Sequence, residues 1–233
     1  MKNEGSLVIV TGCYGSGKTE YAANLAVAAR AQGKRTVLVD LDVVNPYFRS
    51  RDVRDLFAQK DIAVVAPEGS FSHADMPMLS PRIRGAVEDV SATVILDVGG
   101  DPAGARALAR FRADILARGF VMRLVVNTRR PENRTVDEIL SMAAAIEASS
   151  GLSIHEFVAN SHLMEETTAE IVAEGVAAAA EAAKRSGRTF TTACVLADMA
   201  ARLDLSGIAA KVFVLEKFMK KPWEMVSQKA YRI

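Results

Sequence analysis

Along the chain, short runs of β-branched and other apolar residues alternate with longer stretches in which apolar positions recur at helical spacing. This pattern predicts strands at Leu7–Thr11, Thr36–Leu41, Ile62–Ala66, Thr93–Val98, Phe120–Val126, His155–Ala159, Phe190–Val195 and Val212–Leu215, the last as a buried edge strand. It predicts helices over Lys18–Gln32, Pro102–Ala117, Glu132–Ser149 and Glu165–Ser186. Short strands separated by helices are the mark of βαβ units. Runs such as Thr93-Val94-Ile95-Leu96 are apolar without alternation, as strands are when helices cover both faces of the sheet. The expected fold class is therefore α/β, a mostly parallel sheet of about seven or eight strands in a three-layer α/β/α arrangement. The alanine-rich Ala177–Ala183 extends a helix, because alanine is the strongest helix former and the segment lacks Gly, Pro and Ser. No repeat or linker divides the chain, so a single domain spanning 1–233 is expected.

Composition narrows the picture. Half of the 233 residues are hydrophobic and 24% are charged, which excludes disorder for the bulk of the chain. The 29 basic and 28 acidic residues nearly cancel, so nucleic-acid binding is not indicated. The first apolar run breaks at Gly12, too early for a secretion signal or a transmembrane segment, and a cytoplasmic protein is expected. Two cysteines and three scattered histidines form neither a disulfide framework nor a local zinc motif. Charge is uneven in one respect: residues 105–134 hold eight arginines, whereas 135–183 hold nine carboxylates and no Lys or Arg. Two solvated helical surfaces of opposite sign, or a docking surface, would each produce this.

The chemistry concentrates after the first strand. Gly12-Cys13-Tyr14-Gly15-Ser16-Gly17-Lys18-Thr19 satisfies G-x-x-x-x-G-K-[ST] and leads straight into a helix, the context a phosphate-binding loop requires. The glycines let successive N–H groups turn inward, and the helix start adds free N–H groups and the positive dipole end. Lys18 is expected to reach the β- and γ-phosphates, and the Thr19 hydroxyl to ligate Mg²⁺. Asp97, ending the run Thr93–Leu96, is the candidate carboxylate for the magnesium shell. Gly99 is placed to meet the γ-phosphate through its backbone N–H, and Asp101 either joins it or caps the next helix. Asp40 and Asp42 stand at i and i+2, on one face of an extended chain beside the loop; a turn role for Asp40 is the plainer alternative.

Together, the loop at 12–19, the Leu-Val-Asp-Leu-Asp strand end and the Ile-Leu-Asp-x-Gly-Gly strand end resemble the MinD/ParA/CobQ-like branch of P-loop NTPases, the SIMIBI class, over residues 6–165. The resemblance implies Mg-ATP binding, with Asp42 acting on the attacking water and magnesium, Asp40 its companion and Asp97 the Walker B residue. It also implies an Asn that reads adenine: Asn160 matches that position, and Asn127 lies in the preceding loop. Neither loop shows N-K-x-D, which favours ATP over GTP. Cys13 stands where MinD and ParA carry a lysine that crosses a homodimer, and Arg129 or Arg130 offers a substitute charge in trans. Cys13 is either a small tolerated side chain or a thiol activated by the positive loop. His73 and His162 read as surface or loop residues rather than catalysts. The basic, aromatic segment Lys211–Ile233 reads either as a membrane-surface helix or, with Pro222 in its middle, as a helix packed on the domain.

The reading that results is an Mg-dependent ATP-binding protein, a slow ATPase that acts as a nucleotide switch on a partner protein. The alternative is an ATP-dependent small-molecule kinase or a CobQ/dethiobiotin synthetase-like ligase, with Asn45–Arg51 and Ser70–Arg84 as candidate substrate stretches. A GTP-dependent metallochaperone fits less well, for want of a Cys/His cluster.

Overall fold

The computed structural model describes residues 5–42, 51–66 and 81–219. Within them eight strands form one sheet: β1 Leu7–Thr11, β2 Thr36–Asp40, β3 Ile62–Val65, β4 Thr93–Asp97, β5 Val121–Val126, β6 Glu156–Ala159, β7 Thr189–Leu196 and β8 Lys211–Leu215. Their order is β3-β2-β4-β1-β5-β6-β7-β8, and each neighbouring pair is parallel. The helices are α1 Lys18–Ala31, α2 Arg51–Gln59, α3 Pro81–Glu88, α4 Pro102–Ala109, α5 Arg112–Arg118, α6 Val136–Ser150, α7 Ala169–Ser186 and α8 Ala197–Ala200, with a 3-10 turn at Met164–Glu166.

Alternation along each strand sends side chains to two separate cores. On β4, Val94 and Leu96 enter the larger core, shared with Ile83 of α3, Leu108 of α4, Ile115 of α5, Ile139 of α6 and Val176 of α7. Ile95 enters the other, with Tyr21 and Ala22 of α1 and Phe57 of α2. Each fully buried large side chain contributes about 1.5–3 kcal/mol. On the α1 side the far strands reach back toward that helix: the Phe213 ring of β8 meets Tyr21 edge-on at 5.8 Å.

Helix ends follow local chemistry. Thr135 and Glu138 form a reciprocal capping box at α6, Thr168 caps α7, and Gly151 and Gly187 close both helices in the left-handed conformation. Three expectations are corrected. The single helix over Pro102–Ala117 is two, because Phe111 turns into the core between Ala109 and Arg112. The helix expected from Glu132 begins at Val136, since Glu132 has φ +68° and Asn133 is pinned to Cys13. The last strand is at the sheet edge, but Val214 is 47% exposed and only Leu215 of β8 is fully buried.

Beyond β8 the chain crosses α1. Asn24 grips Glu216 through both its backbone N–H and its carbonyl, and Glu20 accepts from the N–H groups of Phe218 and Met219. The Phe218 ring packs against Phe57 of α2. The helix expected farther on lies outside the described residues. The arginine-rich and acidic stretches partly face each other, through Arg129 with Glu174 and Arg123 with Glu156. No helix among the described residues is long and apolar enough to cross a membrane.

Candidate functional site

β1 ends at Thr11 and α1 begins at Lys18, so the intervening loop lies at the C-terminal edge of the sheet's interior strands. Gly17 occupies the N-cap at φ +83°, and no side chain caps the helix, so its first N–H groups face the loop's concavity. Glycine is required here twice over. The φ favours it, and a Cβ would meet the Asn160 amide nitrogen at 2.2 Å. The loop's carbonyls are tied down from outside. Arg130 Nε donates to Gly15 O at 3.0 Å, and Asn160 Nδ2 donates to Ser16 O at 2.7 Å. With those carbonyls held, the loop presents amides to an anion.

Lys18 is buried, and its Nζ lies 2.8 Å from Asp42 Oδ2. Burial works against its charge, but Asp97 and Asp42 outweigh that and raise its pKa. Asp97 is pushed up to about 6 by burial, although Lys18 and a hydrogen bond from Thr19 favour its ionised form. Among the described residues one Asp97 oxygen, Oδ1, and the Ser16 hydroxyl are buried without a hydrogen-bond partner. Such orphaned atoms suit a site that takes a cation and an anion together. Thr19, Asp97 and Asp42 offer the hard oxygens that Mg²⁺ prefers. Among the described residues no cluster of three or more His, Cys, Asp and Glu would hold a metal by itself, so phosphate and water oxygens would have to complete its shell.

The carboxylate strand ends are locked together. Leu41 N donates to Asp97 O at 2.8 Å, and Asp42 N donates to Asp40 Oδ1 at 3.0 Å. The Asp40 carboxylate thus braces the turn that carries Asp42. Gly99 lies beside Asp42, where a Cβ would stand 3.3 Å from Oδ1. A Cβ on Gly100 would stand 2.2 Å from Gly12 O, so glycine is what lets this loop rest on the phosphate loop. Asp101 accepts from Gly104 N and caps α4.

The two asparagines separate. Asn127 is fully buried with both ends engaged: Nδ2 reaches Gly15 O and His162 O at 3.4 Å, and Oδ1 accepts from Arg129 N and His162 N. It holds two loops together and has no atom to spare for a base. Asn160 uses Nδ2 on the loop, whereas its Oδ1 has no hydrogen-bond partner among the described residues. His162 does lie in a loop but is largely buried, and burial, with Arg130 nearby, lowers its pKa to about 4.

Cys13 is buried and accepts from Asn133 Nδ2 at 2.7 Å; burial pushes its thiol up to about 11, so the activated-thiol reading fails. Tyr14 is 79% exposed. With Gly100, Asp101, Met142 and Ile146 it lines a cavity of about 760 Å³ between the loop and α6. Asn133, and Arg130 acting within its own chain, were not anticipated, and nothing in their sequence context signals a loop contact. The candidate substrate stretches Asn45–Arg51 and Ser70–Arg84 fall largely outside the described residues, as does His73.

Similarity to known proteins agrees with this geometry. Among solved structures, chloroplast FtsY from Physcomitrella patens is 15% identical, with 83% of this chain and 59% of that one covered and a TM-score of 0.56. The 54 kDa signal recognition particle protein from Aeropyrum pernix, in complex with GDP, is 22% identical over 82% of this chain and 41% of that one, with a TM-score of 0.53. A nucleotide-binding protein from Archaeoglobus fulgidus, in complex with ADP, is 16% identical over 81% of each chain, with a TM-score of 0.46. This chain thus spans less than two thirds of the FtsY and 54 kDa proteins, and at these identities the likeness is one of fold. No curated relative matches in sequence. The CobQ/CobB/MinD/ParA nucleotide binding domain matches residues 7–175, from β1 through the loop, both carboxylate strand ends and both asparagines, and the chain belongs to that family.

Proposed function

We propose that the protein binds ATP with Mg²⁺ at residues 12–19, hydrolyses it slowly, and uses the γ-phosphate to set its affinity for a partner protein in the cytoplasm. The observation that carries this reading is the buried ion pair between Lys18 and Asp42, at 2.8 Å. An incoming phosphate competes with Asp42 for the ammonium. When Lys18 turns to the phosphate, Asp42 is released to orient a water or the metal's water shell. Thr19 and Asp97 would hold the magnesium, which when bound neutralises charge on the β- and γ-phosphates. Gly99, beside Asp42, is the backbone group suited to sense the γ-phosphate.

Asn160 supplies the base preference. Its Oδ1 accepts from the adenine amino group, whereas guanine presents a carbonyl oxygen at that place. The 54 kDa relative holds GDP, so GTP is the competitor to test. Calorimetric titration with non-hydrolysable ATP and GTP analogues, with and without Mg²⁺ and with mass followed by light scattering, decides the matter. Magnesium-dependent binding of the ATP analogue is expected. Lys18→Ala should weaken it at least about tenfold, and Asp42→Ala should keep binding but lose turnover. Asn160→Ala should cost the ATP analogue more than the GTP analogue. Absence of binding to either analogue overturns the reading.

A second reading, an ATP-dependent kinase or ligase acting on a small molecule, is favoured by the cavity of about 760 Å³ that opens beside Tyr14 and Asp101. Turnover that rises only with a metabolite supports it. Turnover that rises with a protein partner, or a nucleotide-driven homodimer despite Cys13, supports the switch.

A further inference from the structure

His162 stands in the loop after β6, where that loop meets the phosphate loop. Its backbone is tied there through one buried side chain. Asn127 Nδ2 reaches both Gly15 O and His162 O at 3.4 Å, and Asn127 Oδ1 accepts from His162 N at 3.3 Å. The ring itself lies against Gly17, where a Cβ would stand 3.8 Å from His162 Nε2 and 2.2 Å from Asn160 Nδ2. The imidazole and the Asn160 amide therefore converge on one glycine, at the start of α1.

The surroundings fix which ring nitrogen carries the proton. Burial, and after it the Arg130 charge, lowers the pKa to about 4, so at neutral pH the imidazole is uncharged with a single N–H. Nδ1 is buried without a hydrogen-bond partner among the described residues. A sealed N–H with no acceptor costs more than a lone pair with no donor, so the proton belongs on Nε2. That Nε2–H makes no hydrogen bond among the described residues.

Asn160 has the complementary deficit. An asparagine that reads adenine with its whole amide puts Oδ1 on the amino group and Nδ2 on N7. Here Nδ2 is spent on Ser16 O at 2.7 Å. A base whose amino group meets Asn160 Oδ1 thus needs another donor for N7, and His162 Nε2–H is the donor on the same side of Gly17.

We infer that His162 donates from Nε2 to N7 of the bound nucleotide and is a residue by which the site selects purines over pyrimidines. The inference rests on nucleotide binding at residues 12–19 but not on the choice between ATP and GTP, because adenine and guanine both present N7 as an acceptor.

The test is calorimetry of the full-length protein with Mg²⁺ and three probes: ADP, 7-deaza-ADP, in which a C–H replaces N7, and pyrophosphate, which shares only the phosphates. Wild type should bind ADP about tenfold more tightly than 7-deaza-ADP. His162→Ala and His162→Phe should each weaken ADP binding about tenfold, bind the two nucleotides equally, and leave pyrophosphate affinity unchanged. His162→Phe keeps an aromatic ring in place and removes the donor, so its response separates the hydrogen bond from packing. GDP and 7-deaza-GDP should repeat the pattern if guanine is the preferred base. Equal wild-type affinity for a purine nucleotide and its 7-deaza form overturns the inference and leaves nucleotide binding intact. So does a loss of pyrophosphate affinity as large as the loss of ADP affinity, which would make His162 a support for the loop alone. Absence of binding by both ADP and GDP overturns the reading of the loop itself, and the inference falls with it.

Discussion

Asp97 shows at the scale of one residue how a site holds an arrangement that costs stability. It ends a buried strand with one oxygen unpartnered among the described residues, and burial raises its pKa to about 6 against the pull of Lys18 and Thr19. Because the folded-state value lies above the ordinary 3.8, the folded protein binds this proton more readily than the unfolded chain. The ionised carboxylate thus opposes folding above pH 6, and that penalty fades as pH falls through 6 toward 3.8. Asp97→Asn should therefore raise the Tm of the nucleotide-free protein at pH 8 by several degrees, given ~2–4 °C per kcal/mol for a domain of this size. The gain should shrink as the pH is lowered across that window. His162, depressed to about 4, acts in the opposite direction over a similar range, so the informative quantity is the difference between variant and wild type. The same variant should lose the magnesium dependence of nucleotide binding. A lower Tm at pH 8 would show instead that Lys18 needs the Asp97 charge to stay folded in place.

At the scale of elements, the site depends on how closely two loops approach, and Gly100 sets that approach. A Cβ there would stand 2.2 Å from a backbone carbonyl that cannot rotate away, so Gly100→Ala has to push the loop after β4 off the phosphate loop. Denaturant unfolding should show a loss of about 1–3 kcal/mol, and nucleotide affinity should fall with it. Elements of this kind differ in how legible they are in the sequence. The eight strands could be read because apolar runs such as Thr36–Asp40 are continuous, and the loop because its glycines and Lys18-Thr19 have fixed spacing. α2 could not be read, because Arg51, Asp52, Arg54 and Asp55 give its sequence the look of a polar connection. α3 was hidden by Pro81 at its start and Gly85 within it. The contacts of Asn133, Arg130 and Asn127 with the loop were illegible for a different reason. They join segments more than a hundred residues apart, and local pattern carries no trace of such pairing.

For the molecule as a whole, the strand order places the chemistry where the sheet is most strongly held. β1 and β4, which deliver the phosphate loop and Asp97, are interior neighbours, whereas among the described residues β3 and β8 are the edges with a single strand partner each. Interior parallel strands open only with the whole domain, so their amides should exchange with solvent at a rate set by global unfolding. The edge strand β8, with Val214 exposed, should exchange on the order of 100-fold faster. Nucleotide binding then tests whether the two ends of α1 are mechanically joined. If the ATP analogue with Mg²⁺ simply fills a rigid cradle, new protection is confined to 12–19 and 97–104. If release of Asp42 from Lys18 is transmitted, protection also changes along α1 and in residues 216–219, which Glu20 and Asn24 bind to that helix. We expect the second pattern, because Glu20 and Asn24 lie on the helix that begins with Lys18. Hydrogen exchange measured with the analogue and with ADP checks it, and unchanged exchange at 216–219 in both states would confine the switch to the loops.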